Sequence, residues 1–298
     1  VLMELFDVRL HLLWSDILIF LLVASLCAFV VNVVRNPLAR KRWSQVFESR
    51  IGSASFLVIL FYVLIALTDS VHFQKKLEQA GDSEDVHYAP EVTSLLDLAL
   101  APMLGRDEKT YSAPFAIHSF AKENTELAEG GVIRDYPRLE HGGSHLEDDA
   151  QHGADIVVKS MTIIGWTLVP VLILLFLHHA FIKKRDSRLP WPVIYFTFSA
   201  VVVVSSWALY MSQFYHVLGT DKVGQDVLYG AVKAVRTGVL IGTLATLVTL
   251  PLAVLLGISA GYFRGWVDDV VQYIYTTLNS IPGILLIAAS VLLIDVYI

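Results

Sequence analysis

Long apolar segments constrain this chain more than any other feature of its sequence. Five of them cover residues 17–34, 51–67, 161–182, 193–211 and 237–260, and a sixth begins near Val270 and continues to Ile298. Segments of about 17 to 25 apolar residues span the hydrocarbon core of a bilayer, where a helix satisfies its own backbone hydrogen bonds. Only 17% of the residues are charged. The sequence therefore predicts an all-α integral membrane protein with about six transmembrane helices.

Two short basic loops predict the orientation of these helices. Residues 35–50 hold five basic side chains, and residues 183–188 hold four. Short loops rich in Lys and Arg face the cytoplasm, and the two spans between these loops place both on one side. The sequence therefore predicts a multi-pass protein of the cell (inner) membrane, with residues 69–160 extracytoplasmic.

Residues 69–160 differ in composition from the rest of the chain, with 18 acidic and 8 basic side chains. Residues 92–104 fit a short amphipathic helix, whereas the Gly- and His-rich residues 130–153 predict a loop. We expect a small, partly irregular extracytoplasmic domain between the second and third spans. The predicted parts of the chain are 1–68 (two transmembrane helices with a basic cytoplasmic loop), 69–160 (the acidic domain), 161–211 (helices three and four), 212–236 (an outer amphipathic helix) and 237–298 (a membrane core).

Gly257, Ser259 and Gly261 match the G-x-S-x-G pattern of a serine hydrolase. That pattern requires a strand, a sharp turn and a helix, whereas this copy lies inside a predicted transmembrane helix. With Gly265 the glycines recur every four residues, which predicts close packing against another helix. We therefore expect Gly257 and Gly261 to serve helix packing, with no catalytic residue here. Gly265 falls just beyond the membrane and should tolerate substitution better.

His141, His145 and His152 lie among several acidic residues, a composition that can hold zinc or nickel. The glycines between them disfavour a helix, so we interpret this segment as a solvated acidic loop, and predict no metal or other cofactor. The sequence contains no Gly-Lys pair and hence no P-loop for ATP, so ATP-driven work requires another polypeptide. It also lacks the basic and aromatic pattern of a nucleic-acid-binding protein.

Charged residues are scarce in the apolar runs, which disfavours an ion-coupled transporter. Asp16 and Asp295 lie near the ends of runs and are predicted to be interfacial. Before the fifth run, Thr220 or Asp221 can cap a helix, and apolar residues recur at helical spacing from Val223 onwards. The sequence predicts a short amphipathic helix on the outer surface that leads into the fifth span.

Three motifs follow one another near the end of the chain, L-G-T-D-x-x-G-x-D, A-G-Y-F-R-G-W-V-D and S-I-P-G. Their order and separations resemble the C-type permease subunit of dipeptide, oligopeptide and nickel ABC importers, a binding-protein-dependent inner membrane component. The resemblance covers residues 218–298, with departures at Gln225, Arg264 and Thr276. The matching residues are Gly219, Thr220, Asp221, Gly224, Asp226, Gly261, Gly265, Trp266, Asp268, Ser280, Pro282 and Gly283.

This resemblance implies that the last two helices begin a type 1 ABC permease (MetI-like) core, in which Pro251 and Pro282 allow bends. It implies a subunit without enzymatic activity that forms part of a pathway for peptides or a similar small solute. The implied partners are a second permease subunit, two ATPase subunits and an extracytoplasmic solute-binding protein. It assigns no substrate-binding residue.

The part of the chain before these motifs exceeds the single span that the family usually has. It leaves open an alternative, a membrane-anchored ligand sensor or assembly subunit that uses residues 69–160. The chain begins at Val1 and ends within an apolar run at Ile298, so we expect it to be part of a longer protein.

Overall fold

The computed structural model describes residues 8–75, 88–126, 132–181 and 188–297. Within these ranges the chain forms nine α-helices and five short β-strands. The helices are α1 (Trp14–Arg35), α2 (Pro37–Glu48), α3 (Arg50–Asp69), α4 (Leu95–Ala99), α5 (His152–Phe181), α6 (Trp191–Met211), α7 (Val227–Phe263), α8 (Trp266–Ser280) and α9 (Gly283–Tyr297). The strands are β1 (Val8–His11), β2 (His72–Lys75), β3 (Thr93–Ser94), β4 (Glu123–Glu126) and β5 (Val132–Asp135). The chain divides into two compact units, Val1–Leu240 and Ile241–Ile298.

Helices α1, α3, α5, α6 and α7 are long and apolar enough to cross a membrane. The first five predicted spans are thus confirmed as helices, and the chain is a multi-pass membrane protein. Pro251 lies inside α7, which continues through it. The predicted sixth span corresponds to two helices, α8 and α9, which meet at an angle of 90° and together count as one bent span. Pro282 explains this break, since proline has no N–H to donate and favours an extended residue before it.

The two small sheets make the all-α prediction incomplete, although the described chain is mostly helical. Strands β1, β2 and β3 form one antiparallel sheet, and β4 pairs antiparallel with β5. The first sheet joins the chain just before α1 to the chain just after α3. It therefore holds together the ends of two membrane-spanning helices that are distant in sequence.

The chain between the spans packs on the helix ends within the first unit. Helix α6 packs against α5 and α3, and just beyond its C-terminus the fully buried Tyr215 joins a core cluster with Ile117 and Leu146. A second cluster centred on Leu100 packs against the beginning of α7. The sequence pattern did not predict this packing, because periodicity within one segment does not show which distant segments meet.

Residues 130–153 were predicted to be a solvated loop, and the described part of this segment confirms that prediction only in part. Residues 139–148 form neither helix nor strand, but the segment is not fully solvated. It contains strand β5, and Gly142, Gly143 and Leu146 are buried. The N–H of Gly143 donates a hydrogen bond to the carbonyl oxygen of Phe214 at 2.8 Å. The segment is thus fixed against the chain that follows α6. In residues 92–104 the predicted helix is present but shorter, as α4 and a turn of 3₁₀-helix at Ala101–Met103.

Candidate functional site

The turn between α6 and α7, residues 218–226, depends on two glycines with positive φ. Gly219 has φ 75° and Gly224 has φ 90°, values that side chains with a Cβ adopt only with strain. The surroundings exclude a Cβ as well, because it would overlap the carbonyl oxygen of Ser112 at Gly219 and that of Glu108 at Gly224. Both glycines of this motif are therefore explained by conformation and by close packing.

Two aspartates hold the turn and begin the next helix. The Asp221 carboxylate accepts hydrogen bonds from two backbone N–H groups of the turn at 2.9 and 3.0 Å. Asp226 accepts from the first free N–H groups of α7 at 2.8 and 3.2 Å, as an N-cap does. The prediction that Thr220 or Asp221 caps an amphipathic helix is therefore wrong. Asp226 is the cap, and α7 continues from the turn into the span as one helix.

Thr220 fixes the turn to the chain that follows the short helix α4. It is 4% exposed, and its Oγ1 donates to the carbonyl oxygen of Thr110 at 2.8 Å and lies 3.0 Å from Ser112 Oγ. On the same side, the N–H of Glu108 donates to the carbonyl oxygen of Gly224 at 2.9 Å. The L-G-T-D-x-x-G-x-D motif thus forms a packed structure with residues 108–112.

Three buried ionisable side chains, those of Glu108, His216 and Asp226, form a cluster next to the turn. The side chains of Glu108 and His216 are 2% and 3% exposed, and His216 Nε2 lies 3.3 Å from Glu108 Oε1. The other ring nitrogen, Nδ1, lies 2.8 Å from Asp226 Oδ2. Three backbone N–H groups of residues 140–142 donate to the Glu108 carboxylate at 2.8 to 3.1 Å. Burial alone raises the pKa of Glu108, but these N–H groups and His216 outweigh it and hold the pKa below its ordinary value.

Helix α7 begins with a polar face that is held by acids from other elements. Tyr229 and Lys233 are four residues apart and so share one side of the helix. The Tyr229 hydroxyl donates to Asp97 Oδ1 at 3.1 Å. Lys233 Nζ lies 2.5 Å from Asp69 Oδ1, at the end of α3, and 2.9 Å from Asp97 Oδ1 in α4. One lysine therefore joins a spanning helix and the short helix after it to α7.

Arg236 continues this face one turn further and meets the beginning of α1. Its Nη2 pairs with Asp16 and with the hydroxyl of Ser15. Asp16 is fully buried, and its other oxygen lies 3.0 Å from His72 Nδ1. Asp16 was predicted to be interfacial. It lies at the beginning of a spanning helix, where side chains of α7 and β2 pair with it and it is buried within the chain.

Sequence reasoning missed this polar face although a signal for it was present. The predicted fifth span began at Thr237, so Lys233 and Arg236 were placed outside it. Lys233 follows Tyr229 by four residues and Arg236 follows Lys233 by three, a spacing that marks one helical face. The acids at the ends of the first two spans, Asp16 and Asp69, are the matching signal, since a charge at a helix end needs a partner when it is buried.

The remaining motif residues lie in the second unit and have a different environment. Gly265 has φ 56° and precedes α8, so a side chain there is strained and the predicted tolerance of substitution is wrong. Trp266 is 76% exposed, and Asp268 lies in the first turn of α8, where a negative charge is favourable. Ser280 ends α8, while Pro282 and Gly283 form the bend and the start of α9.

Gly257, Ser259 and Gly261 lie within the continuous helix α7. The Ser259 hydroxyl donates to the carbonyl oxygen of Leu255 at 2.7 Å, as a helical serine does. This geometry confirms that the G-x-S-x-G match is not a strand-turn-helix elbow. A Cβ at Gly257 or Gly261 would meet no atom of the described chain within 4 Å. The face on which these two glycines lie is therefore open within this chain.

The three histidines considered as metal ligands have separate roles. His145 Nε2 lies 2.8 Å from Asp155, and His152 Nε2 donates to the carbonyl oxygen of Phe115 at 2.8 Å. The backbone of His141 contributes an N–H to Glu108, and its carbonyl oxygen accepts from Arg106 at 2.9 Å. In the ranges that the structure describes, no group of three or more potential ligands is close enough to hold a metal ion.

Comparison with curated proteins confirms the resemblance to ABC peptide permeases over part of the chain. The glutathione transport system permease protein GsiD of Pectobacterium atrosepticum is 36% identical over 76 residues, covering 26% of this chain and 25% of that protein. The oligopeptide transport system permease protein OppC of Mycobacterium tuberculosis is 33% identical over 73 residues, covering 24% and 25%. The dipeptide transport system permease protein DppC of Lactococcus lactis is 33% identical over 78 residues, covering 26% and 23%.

The chain thus spans about a quarter of the length of the curated relatives it matches. The matched length is close to that of residues 218–298, which carry the three motifs. No family model matches the chain, and no solved structure matches it.

Proposed function

We propose that the chain is a transmembrane permease subunit of an ATP-driven ABC importer, in which α7, α8 and α9 begin the part that lines the pathway for a peptide or a similar small solute. The observation that carries this proposal is the similarity to three peptide or glutathione permeases. In the first motif, Gly219, Thr220, Asp221, Gly224 and Asp226 also hold the turn before α7. The chain itself performs no ATP hydrolysis in this proposal. That work belongs to two ATPase subunits, which act with a second permease subunit and a solute-binding protein.

The proposal gives the additional N-terminal helices and the outer segment a role in positioning α7. Three of the acids that hold its first three turns, Asp16, Asp69 and Asp97, come from α1, α3 and α4. In a transporter, the pathway-lining helix must keep its place while ATP binding moves the core. Anchoring its outer end in the same chain meets that need, and it accounts for the upstream region better than a separate sensor does.

The transport proposal is tested by uptake. Cells that lack this protein are supplied with radiolabelled di- and tripeptides and glutathione, and are complemented with the natural gene or with the Asp226→Ala variant. We expect uptake to depend on the natural protein and on ATP, and to fall in the variant because α7 loses its cap. Uptake that is equal with and without the protein for every solute contradicts the proposal.

We propose that residues 69–160 lie outside the cytoplasmic membrane. Both basic loops contribute to one cavity, lined by α2 together with Arg188 and Leu189, which supports their lying on one side. In a Cys27→Ser background, a cysteine at the exposed Ser144 should react with an impermeant thiol reagent in intact spheroplasts, whereas a cysteine at Ser44 should react only after lysis. The reverse labelling pattern contradicts the orientation. Ser83, another candidate position, lies outside the described residues.

A further inference from the structure

We propose that the basic cavity between α2 and the start of α6 binds the phosphate headgroup of an anionic phospholipid. This inference concerns the end of the molecule opposite the polar face of α7 and does not depend on the proposed transport function. It rests on the placement of basic and aromatic side chains where two connecting segments meet at the ends of membrane-spanning helices.

The cavity has a volume of about 700 Å³. Its walls come from two segments that are far apart in sequence, the helix α2 and the residues just before α6. Along α2 the lining positions recur at three- and four-residue intervals, so they form one face of that helix. The lining residues are Pro37, Arg40, Lys41, Ser44, Phe47, Glu48, Arg188 and Leu189.

The charge of the lining fits a phosphate. Arg40, Lys41 and Arg188 supply three positive charges, and Glu48 supplies one negative charge. Arginine binds phosphate through paired N–H groups, and lysine binds it as a compact charge. Basic pockets between helix ends at a membrane surface are the kind of site that holds an anionic headgroup.

The position of α2 places this cavity at headgroup level. The helix lies between the end of α1 at Arg35 and the start of α3 at Arg50, and so at the ends of two spans. Trp43 packs edge-on against Phe29 of α1, with ring centroids 5.5 Å apart. Tryptophan is enriched where hydrocarbon meets water. The helix is thereby held against α1 with its basic face at the membrane surface.

Apolar surface beside the cavity favours a lipid over free phosphate. Phe47 and Leu189 belong to the lining itself, and Leu38, which follows the lining residue Pro37 in sequence, is 75% exposed. Acyl chains attached to a bound headgroup can cover such surface, which inorganic phosphate cannot do. The shared chemistry is the phosphate group, and the apolar margin distinguishes its two possible sources.

Matched variants of one helix test the proposal. The purified protein in a neutral detergent is titrated with phosphatidylglycerol, with phosphatidylcholine and with sodium phosphate, and binding is followed by native mass spectrometry and by the shift of the unfolding temperature. Arg40→Gln removes a cavity charge. Arg42→Gln removes the same charge from the same helix at a position that does not line the cavity.

We expect phosphatidylglycerol alone to bind, with its affinity roughly fivefold weaker in Arg40→Gln, the loss typical of one basic contact at an anionic surface, and clearly less affected in Arg42→Gln. Glu48→Gln should strengthen binding, since it removes the one negative charge among the described lining residues, and this variant keeps the test valid if Arg40→Gln folds poorly. Equal losses in the two arginine variants indicate diffuse charge and overturn the proposal. An equal response to sodium phosphate overturns the lipid as the ligand.

Discussion

The motif turn at residues 218–226 and the glycine face of α7 at Gly257 and Gly261 belong to the same resemblance, but their surroundings in this chain are opposite. Around the turn, a Cβ at either glycine would overlap backbone of residues 108–112. Around Gly257 and Gly261 the described chain leaves open space. Glycine is required in the first region by contacts already made within the chain. In the second region, the glycines leave room that the described part of this chain does not fill.

This difference in surroundings indicates that the glycines of the turn serve the folding of the chain, whereas Gly257 and Gly261 serve its assembly with another chain. Helices in lipid have little hydrophobic reason to associate, so small residues that permit close approach matter most where another helix arrives. The turn, by contrast, is stabilised by hydrogen bonds and buried ion pairs that a single chain supplies. Substitutions in the first region should therefore damage the chain itself, and those in the second should damage its association with another chain.

The largest effect is expected from Gly224→Ala. The new methyl group meets the backbone of Glu108 in a conformation that alanine avoids, so the variant should lose at least about 4 kcal/mol of stability or fail to accumulate. Thermal unfolding in detergent and the folded yield measure this loss. Gly230→Ala is the control, since that glycine lies in α7 with open space around it and should be neutral or stabilised. A Gly224→Ala protein as stable as the control would contradict the claim that the turn requires glycine at this position.

Lys233→Met is expected to have the next largest effect. It leaves the buried carboxylates of Asp69 and Asp97 without their shared cation, and breaking one side of a buried ion pair costs about 3 kcal/mol. The unfolding midpoint in denaturant measures the loss. Lys222→Met changes an exposed lysine of the turn and should leave the midpoint unchanged. If both variants behave alike, the polar face does not hold α7.

A smaller and pH-dependent effect is expected at Glu108. Because its pKa is lowered in the folded protein, its contribution is complete above its ordinary value of 4.5 and disappears as the pH falls toward the lower folded-state pKa. Glu108→Gln should lower stability at neutral pH by about 2 kcal/mol and flatten the decline of stability below pH 4.5. Glu147→Gln, at an exposed position, should keep the natural pH profile. An unchanged profile in Glu108→Gln contradicts the assignment.

The sequence predicted the five spanning helices because a continuous apolar segment of sufficient length identifies a membrane helix without any knowledge of tertiary contacts. It also identified the three motifs, yet it misassigned the helix cap to Thr220 or Asp221. Several aspartates and a threonine in that segment can each cap a helix, and only the packing of residues 108–112 selects Asp226. A bend at Pro282 was among the predictions, but the continuous apolar run did not show that α8 and α9 meet at 90°.

The partners of residues that are distant in sequence could not be predicted, because a local pattern does not record which segments meet in the fold. Asp16 pairs with Arg236 across 220 positions of sequence, and no local pattern encodes that pairing. The glycines at 142 and 143 suggested a loop, whereas Gly142 supplies a backbone N–H to a buried carboxylate and Gly143 one to Phe214. A single sequence shows the positions of charged residues and glycines, but only the folded structure shows which of these residues are in contact.

The most direct test of this separation is to measure assembly and stability on the same variant, Gly261→Leu. A Cβ there meets no atom of the described chain within 4 Å, whereas a leucine side chain should displace a helix of another subunit that packs on the same face. We predict an unchanged unfolding temperature together with loss of the co-purifying second permease subunit, while Ser259→Ala retains both. A Gly261→Leu protein that keeps its partner, or that unfolds at a lower temperature on its own, would contradict the account.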